Sequence, residues 1–286
     1  MSKHREIDDR LHTLREITGI FGAMKNFALM ETQKLTRVLP TQQRVLDSID
    51  AVVTDFLTFY PAGTQRIDRG KPVYLLFGSE RGLCGDFNEA LLDRFAQAVQ
   101  GESEESYELI CVGSKLAEKL ERDARIVATV PGPTVTEEVQ PVLIRLMDTV
   151  REAQVRRNSK VPLDLTIVHY RAGAEDAHIE VRRPFHPAAR ATARYAYPPV
   201  LYLDPLMFMT ALFDFYLLSI LHEVCFSSLM AENQRRFQHM DQAVRRLQRD
   251  IEELTLKRNR WRQEEITEEI EVIMLSADVV KAPSAH

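Results

Sequence analysis

The chain has 286 residues, 45% of them hydrophobic and 28% charged, the make-up of a folded soluble protein with one or two domains. Its net charge of −5 is too small to imply a class of partner. Three widely spaced cysteines, Cys84, Cys111 and Cys225, show no metal-type pairing and are expected to be reduced thiols.

The N-terminus enters a charged amphipathic pattern at once, carrying Glu6, Asp8 and Asp9. Neither a signal peptide nor a transit peptide is expected there. Ile7, Leu11, Leu14, Ile17, Phe21, Met24 and Ala28 fall three or four apart, one apolar stripe of a helix. The stripe continues through Leu35, Val45, Leu46, Ile49, Val52, Val53 and Phe56, with a bend rather than an end expected at Pro40. Gly19 and Gly22 permit another backbone to approach closely. Residues 61–72 (PAGTQRIDRGKP) have the composition of a linker.

The period then changes. Residues 73–77, 107–112, 124–130, 163–170 and 178–185 are short runs rich in Val, Ile and Tyr, the pattern of strands. Helical segments at 87–99, 115–122 and 137–157 alternate with them, which implies a mostly parallel sheet with crossover helices. PFHPAAR and YPPV (184–190 and 197–200) form an extended lead into the last element.

That last element dominates the chain. Residues 206–282 contain no Gly and no Pro, the residues that cost a helix interior about 1 and ~3 kcal/mol. An unbroken helix of this length runs on the order of 100 Å, longer than a compact domain is wide, and needs a mate for its apolar stripe. The N-terminal helix, at the opposite end of the chain, is the expected antiparallel partner.

The stretch GSERGLCGDFN (78–88) follows the first strand and opens a helix, where nucleotide-binding folds cradle phosphate. Gly78, Gly82 and Gly85 match neither GxGxxG nor GxxxxGK[ST], and Asp86 repels an anion, so the reading is a structural turn. The eight histidines show no metal-ligand spacing, and His169 and His178 are assigned to the surface beside a hairpin turn. No nucleophile elbow is present and Cys84 has no base near it in sequence. No cofactor, metal or catalytic residue is expected.

Residues 206–221 (LMFMTALFDFYLLSIL) are apolar but shorter than a membrane span and hold Asp214. They are expected to be buried between the sheet and the N-terminal helix. Met240, Val244, Leu247, Ile251 and Leu254 continue a coiled-coil seam, after which Ile266, Ile270 and Ile273 take over in a shifted phase. The opposite face is basic, with Arg235, Arg236, Arg245, Arg246, Arg249, Lys257, Arg258, Arg260 and Arg262. Nucleic acid is not the expected partner, since Trp261 is the sole Trp and stacking platforms are lacking.

Three segments resemble the gamma subunit family of the rotary ATP synthase. TGIFGAMKNFA, with Ala23 and Met24, resembles that family's first helix. GSERGLCGDFN resembles its Ser-Asp-Arg-Gly-Leu-Cys-Gly-Gly-Phe-Asn loop, differing at Glu80 and Asp86. At the C-terminus, Glu232, Arg236, Met240 and Ala243, followed by Asn259, Arg262, Gln263, Ile266, Thr267 and Glu269, stand where the family has its signature. The chain departs from it at Val272, usually acidic, and at Ser276 and Ala277, usually Gly-Ala.

The resemblance implies a long antiparallel coiled coil of the two terminal helices with a Rossmann-like α/β domain at one end. It divides the chain into an N-terminal helix (1–60), an α/β domain (61–205) and a C-terminal helix (206–286). It implies a non-catalytic central-stalk rotor that couples ion flow to ATP synthesis or hydrolysis. The implied partners are the alpha and beta subunits of the catalytic ring, the epsilon subunit and the membrane c ring, at the cytoplasmic face of a bacterial inner membrane. Met24, Arg236, Arg262, Gln263, Thr267 and Glu269 are the implied partner contacts. A divergent bacterial paralogue is compatible with the departures. The competing readings are a nucleotide-binding α/β enzyme with a coiled-coil arm and a membrane-tethered coiled-coil scaffold.

Overall fold

The computed structural model describes residues 3–60, 68–103, 106–158, 163–173, 177–184, 197–198 and 200–281. In chain order these form α1 (Lys3–Phe59), β1 (Asp68–Phe77), α2 (Phe87–Ala98), β2 (Glu108–Val112), α3 (Ser114–Lys119) and β3 (Ile126–Val130). A 3-10 turn (Thr136–Glu138) then leads into α4 (Val139–Arg156), followed by β4 (Leu163–Arg171), β5 (His178–Arg182) and α5 (Pro205–Lys281). Both expected long helices are continuous, and α1 does not end at Pro40. Most of the 61–72 linker and of the 184–190 lead lies outside the described residues. The linker's last part, from Asp68, is already strand, because its backbone pairs with β4 at Leu163.

The chain divides into two compact units, 28–237 and a second made of 1–27 with 238–286. The larger holds a five-stranded sheet in the order β3-β2-β1-β4-β5. All pairings are parallel except β4 with β5, which are close enough in sequence to be joined by a short turn. The inner strands β1 and β2 are buried on both faces and so are apolar nearly throughout, as in VYLLF and LICV, while the edge strand β3 is mostly half-buried.

Side-chain alternation splits that apolar content into two layers. Val73, Leu75, Phe77, Ile110, Val112, Leu165 and Ile167 face a layer built from α4 and from parts of α1 and α5. Into it α1 sends Leu35, Leu39, Leu46, Val53 and Phe56, while α5 sends Met209, Phe213, Leu217, Ile220, Leu221, Val224 and Leu229. Tyr74, Leu76, Leu109, Cys111, Val168 and Tyr170 face α2 and α3 on the other side. There Phe87 stacks on Tyr170 at 4.0 Å between ring centroids, and the Tyr170 hydroxyl donates to the Phe87 carbonyl at 3.0 Å. Burial of the start of α5 against the sheet and α1 is therefore observed. Its outward side keeps Met207 and Phe215 exposed.

Polar latches pin α1 to the same layer. Glu31 is fully buried on α1, and its Oε2 accepts the Thr136 N–H and hydroxyl at 2.9 Å each, satisfying the turn that opens α4. Its Oε1 takes Lys34 at 2.8 Å, which also reaches Glu137.

In the smaller unit α1 and α5 run antiparallel. Lys25 pairs with Asp241 at 3.2 Å and Asp8 with Arg258 at 3.5 Å, a constant register between the two crossings. Ile7, Leu11, Met240 and Val244 are buried along this seam. In that register Lys3, the first described residue of α1, lies opposite Gln263. Ile266, Ile270 and Ile273 consequently do not take over the seam: among the described residues no α1 turn stands opposite them, and they are 47%, 51% and 65% exposed.

A second correction concerns His169. It lies on β4 with its side chain fully buried, paired across the ladder with Glu180, and not at the surface. Its Nδ1 lies 3.1 Å from the Tyr170 carbonyl while Nε2 has no hydrogen-bond partner. Burial pushes the imidazole from its ordinary 6.5 down to about 4, against the opposing pull of Glu180. The folded protein therefore binds fewer protons than the unfolded chain below pH 6.5, and stability is lost as pH falls from about 6.5 to 4. The expected contribution is about 3 kcal/mol, and His169→Gln should flatten the denaturant-midpoint profile in that window.

All three thiols are buried and free. Burial raises each of them, Cys111 and Cys225 to about 12. Native protein at pH 8 should leave a thiol reagent unreacted over minutes, with full reaction in guanidinium. A fast-reacting thiol in the folded state would contradict the described core.

Candidate functional site

Strand order reverses direction at β1, so the crevice at the carboxyl end of β1 is where an open α/β sheet of this kind holds a ligand. The loop 78–86 occupies that place. Gly78 leaves β1 with no room for a side chain, since a Cβ there would collide with Leu116 and Asn88. Gly113, at φ +103°, brings the loop after β2 against the Gly78 and Ser79 carbonyls, where a Cβ would come within 2.7 Å of both. Ser79 and Asn88 close the turn reciprocally: the Ser79 N–H donates to Asn88 Oδ1 and the Asn88 amide donates to Ser79 Oγ, both at 2.9 Å.

The anion position is filled from within. Glu80 Oε2 accepts the Ser114 N–H at 2.8 Å and the Gly132 N–H at 2.7 Å, and Oε1 accepts the Ser114 hydroxyl at 2.7 Å. These are donors of the type a phosphate would take, and a carboxylate of the chain itself holds them. Asp86, at the start of α2, makes no side-chain cap. The crevice is a closed structural joint, which explains in atomic terms why the glycine spacing fits no nucleotide motif.

α5 grips the same loop. Glu232 Oε2 accepts the Glu80 N–H at 3.3 Å and Oε1 accepts the Arg81 N–H at 3.4 Å. Arg236, one turn on, forms an ion pair with Glu232 and donates to the carbonyls of Gly82 at 3.3 Å and Arg81 at 3.4 Å. Its Nη1 donates to Asn233 Oδ1 at 3.0 Å. Burial pushes the Glu232 carboxyl up, and Arg236 acts against that shift.

The remaining candidate residues lie in the smaller unit. Met24 is half-buried on α1, next to the Lys25–Asp241 pair. Arg262, Gln263, Thr267 and Glu269 are exposed on α5, with the Thr267 hydroxyl bonded back to the Gln263 carbonyl at 2.8 Å. Arg236 does not join them. Its expected place on the outer basic face is overturned by a side chain only 4% exposed, because the i, i+4 spacing turns it with Glu232 toward the loop. Sequence reasoning picked out Glu232 and Arg236 but not the bonds they make. The signal was an oppositely charged pair four residues apart within SSLMAENQRRF, whose other members are largely apolar or small. Glu80 was visible only as a departure from a pattern.

The α/β fold has the crevice at β1 closed from within, and long helices stand at both ends of the sequence. A family model described as ATP synthase matches residues 3–280. The chain belongs to that ATP synthase family, and its curated relatives are gamma chains. It is 23% identical to the ATP synthase gamma chain of Clostridium botulinum (strain Langeland), over 93% of this chain and 95% of the relative. With the gamma chain of Halothermothrix orenii it shares 22% over 98% of this chain and all of the relative. Its fold is similar to a chain of the Euglena gracilis mitochondrial ATP synthase rotor, with a TM-score of 0.63 at 15% identity, covering 92% of this chain and 98% of that one.

The closure by Glu80 yields a direct test. Glu80→Ala strands two backbone N–H groups and a hydroxyl, and should lower unfolding stability by about 3 kcal/mol, read from the denaturant midpoint. Titration of the wild-type chain with ATP should give no saturable heat.

Proposed function

We propose that this chain is the turning shaft of a bacterial ATP synthase, lodged by α5 and α1 in a ring of alternating alpha and beta subunits. Its sheet unit would meet the epsilon subunit and the membrane c ring at the cytoplasmic face of the inner membrane. The observation that carries the reading is the extent of the family match, which takes in both long helices and the whole sheet unit. The exposed apolar residues Ile266, Ile270, Ile273 and Met274 support it, since a helix end of that composition calls for a surrounding protein.

An asymmetric shaft in a near-threefold ring presents a different face to each catalytic site. Turning it biases each site in sequence between open and closed states. Met24, Arg262, Gln263, Thr267 and Glu269 are the proposed contacts for this coupling. The nucleotide-enzyme reading would use the crevice at β1, where Glu80 already occupies the Ser114 and Gly132 donors. The tethered-scaffold reading rests on one apolar window in α5, half of which is buried in the protein.

The test is co-expression with the partner subunits and reconstitution in vesicles. The chain should co-purify with the two larger ATPase subunits in excess over it. Alanine at Arg262, Gln263 and Thr267 should change stability of the free chain by less than about 0.5 kcal/mol, these being exposed positions. The same substitutions should lower ATP-driven ion pumping per ATP hydrolysed. An unchanged ratio in a normally assembled complex would remove these three residues from the coupling set.

A further inference from the structure

A shaft that carries load has to be fastened against rolling about its own axis. Most of the contact between α5 and the sheet unit is apolar, made by Ile220, Leu221, Val224, Cys225 and Leu229. Apolar contact is non-directional, so it resists separation far better than it resists sliding or rolling. Directional contacts from α5 to the sheet unit include Ser227 Oγ, which accepts the Ala172 N–H at 2.7 Å, and Glu223, 3.7 Å from Arg182; the densest set is at Glu232 and Arg236, each 4% exposed. Between them they take two N–H groups and two carbonyls from the backbone of residues 80–82. The loop is thus held by donors and acceptors at once. It is also a stiff piece of chain: Leu83 and Gly85 both sit at φ +66°, a conformation a leucine adopts only under constraint. From Glu80 the grip passes to the loops after β2 and β3, through Ser114 and Gly132.

We propose that Glu232, Arg236 and Glu80 form the torque joint of this subunit, a continuous line of directional bonds that fixes the rotation of α5 relative to the sheet. This rests on the rotor reading above. Glu232 and Arg236 are positioning residues, acting through the helix they orient and not through contact with a partner.

The experiment uses the complete complex in vesicles. Glu232→Gln, Arg236→Lys and Arg236→Ala are compared with Arg235→Ala, the half-buried neighbour, whose guanidinium lies 3.9 Å from Asp86 and takes no part in the bonds to residues 80–82. The joint predicts normal ATP hydrolysis without an opposing ion gradient and, against a gradient, a loss of about half or more of the ions pumped per ATP, because bonds to charged groups are the ones removed. Arg236→Lys should fall between wild type and Arg236→Ala, since an ammonium keeps the charge but not the fork. Arg235→Ala should pump normally. Variants that assemble poorly but pump normally once assembled would show a merely structural role and overturn the joint. A second measurement needs no variant. In hydrogen exchange on the wild-type full chain, the Glu80 and Arg81 amides should exchange as slowly as the 229–236 amides of α5, and exchange at surface-loop rates would overturn the proposal. If the wild-type chain fails to assemble into a pumping complex, the rotor reading fails, and the exchange result still reports on the joint.

Discussion

The apolar layer shared by α1, α4 and α5 on one face of the sheet is the constraint on which the sheet unit depends. Neither terminal helix can bury its stripe alone, and the parallel strands cannot be left open on that face. Leu35 to Phe56 of α1 and Met209 to Leu229 of α5 meet both needs at once. A fully buried side chain of this kind contributes about 1.5–3 kcal/mol, so the layer outweighs every polar contact in the unit taken singly. These parts of α1 and α5 are thereby brought to one place, although the whole sheet lies between them in sequence.

What the apolar layer lacks is direction, and the polar residues supply it. Glu31 fixes the turn into α4, Glu232 and Arg236 fix the loop after β1, and Glu80 ties that loop to its neighbours. All are carboxylates or guanidiniums serving backbone groups that would otherwise be buried without partners. The crevice that could have been a ligand site is spent on this task.

The sequence disclosed periodicity well and contact poorly. The five strands, the crossover helices and both long helices were legible because alternation and three-four spacing follow from backbone geometry alone. The exposure of Ile266, Ile270 and Ile273 was not, since it depends on where α1 begins opposite α5, a register no single stripe contains. His169 looked like a hairpin residue by position, yet its place on the inner side of β4 buries it. Arg236 belonged to a basic run in the sequence, but a rotation of about 100° around the helix separates its environment from that of Arg235. Glu80 is the hardest case, because its three partners come from two other loops, 34 and 52 residues away.

The constant register in the smaller unit has a consequence for how the chain can change in length. Each residue added to or removed from α1 between Asp8 and Lys25 turns everything on one side of the change by about 100°. One deletion there would swing Leu11 out of the seam and part either the Asp8–Arg258 or the Lys25–Asp241 pair. Losses or gains of about seven or about eleven residues restore the stripe, and then only if α5 changes by the same number. Evolutionary tinkering with length is thus barred from the paired helices and confined to loops between strands and to the free end of α5.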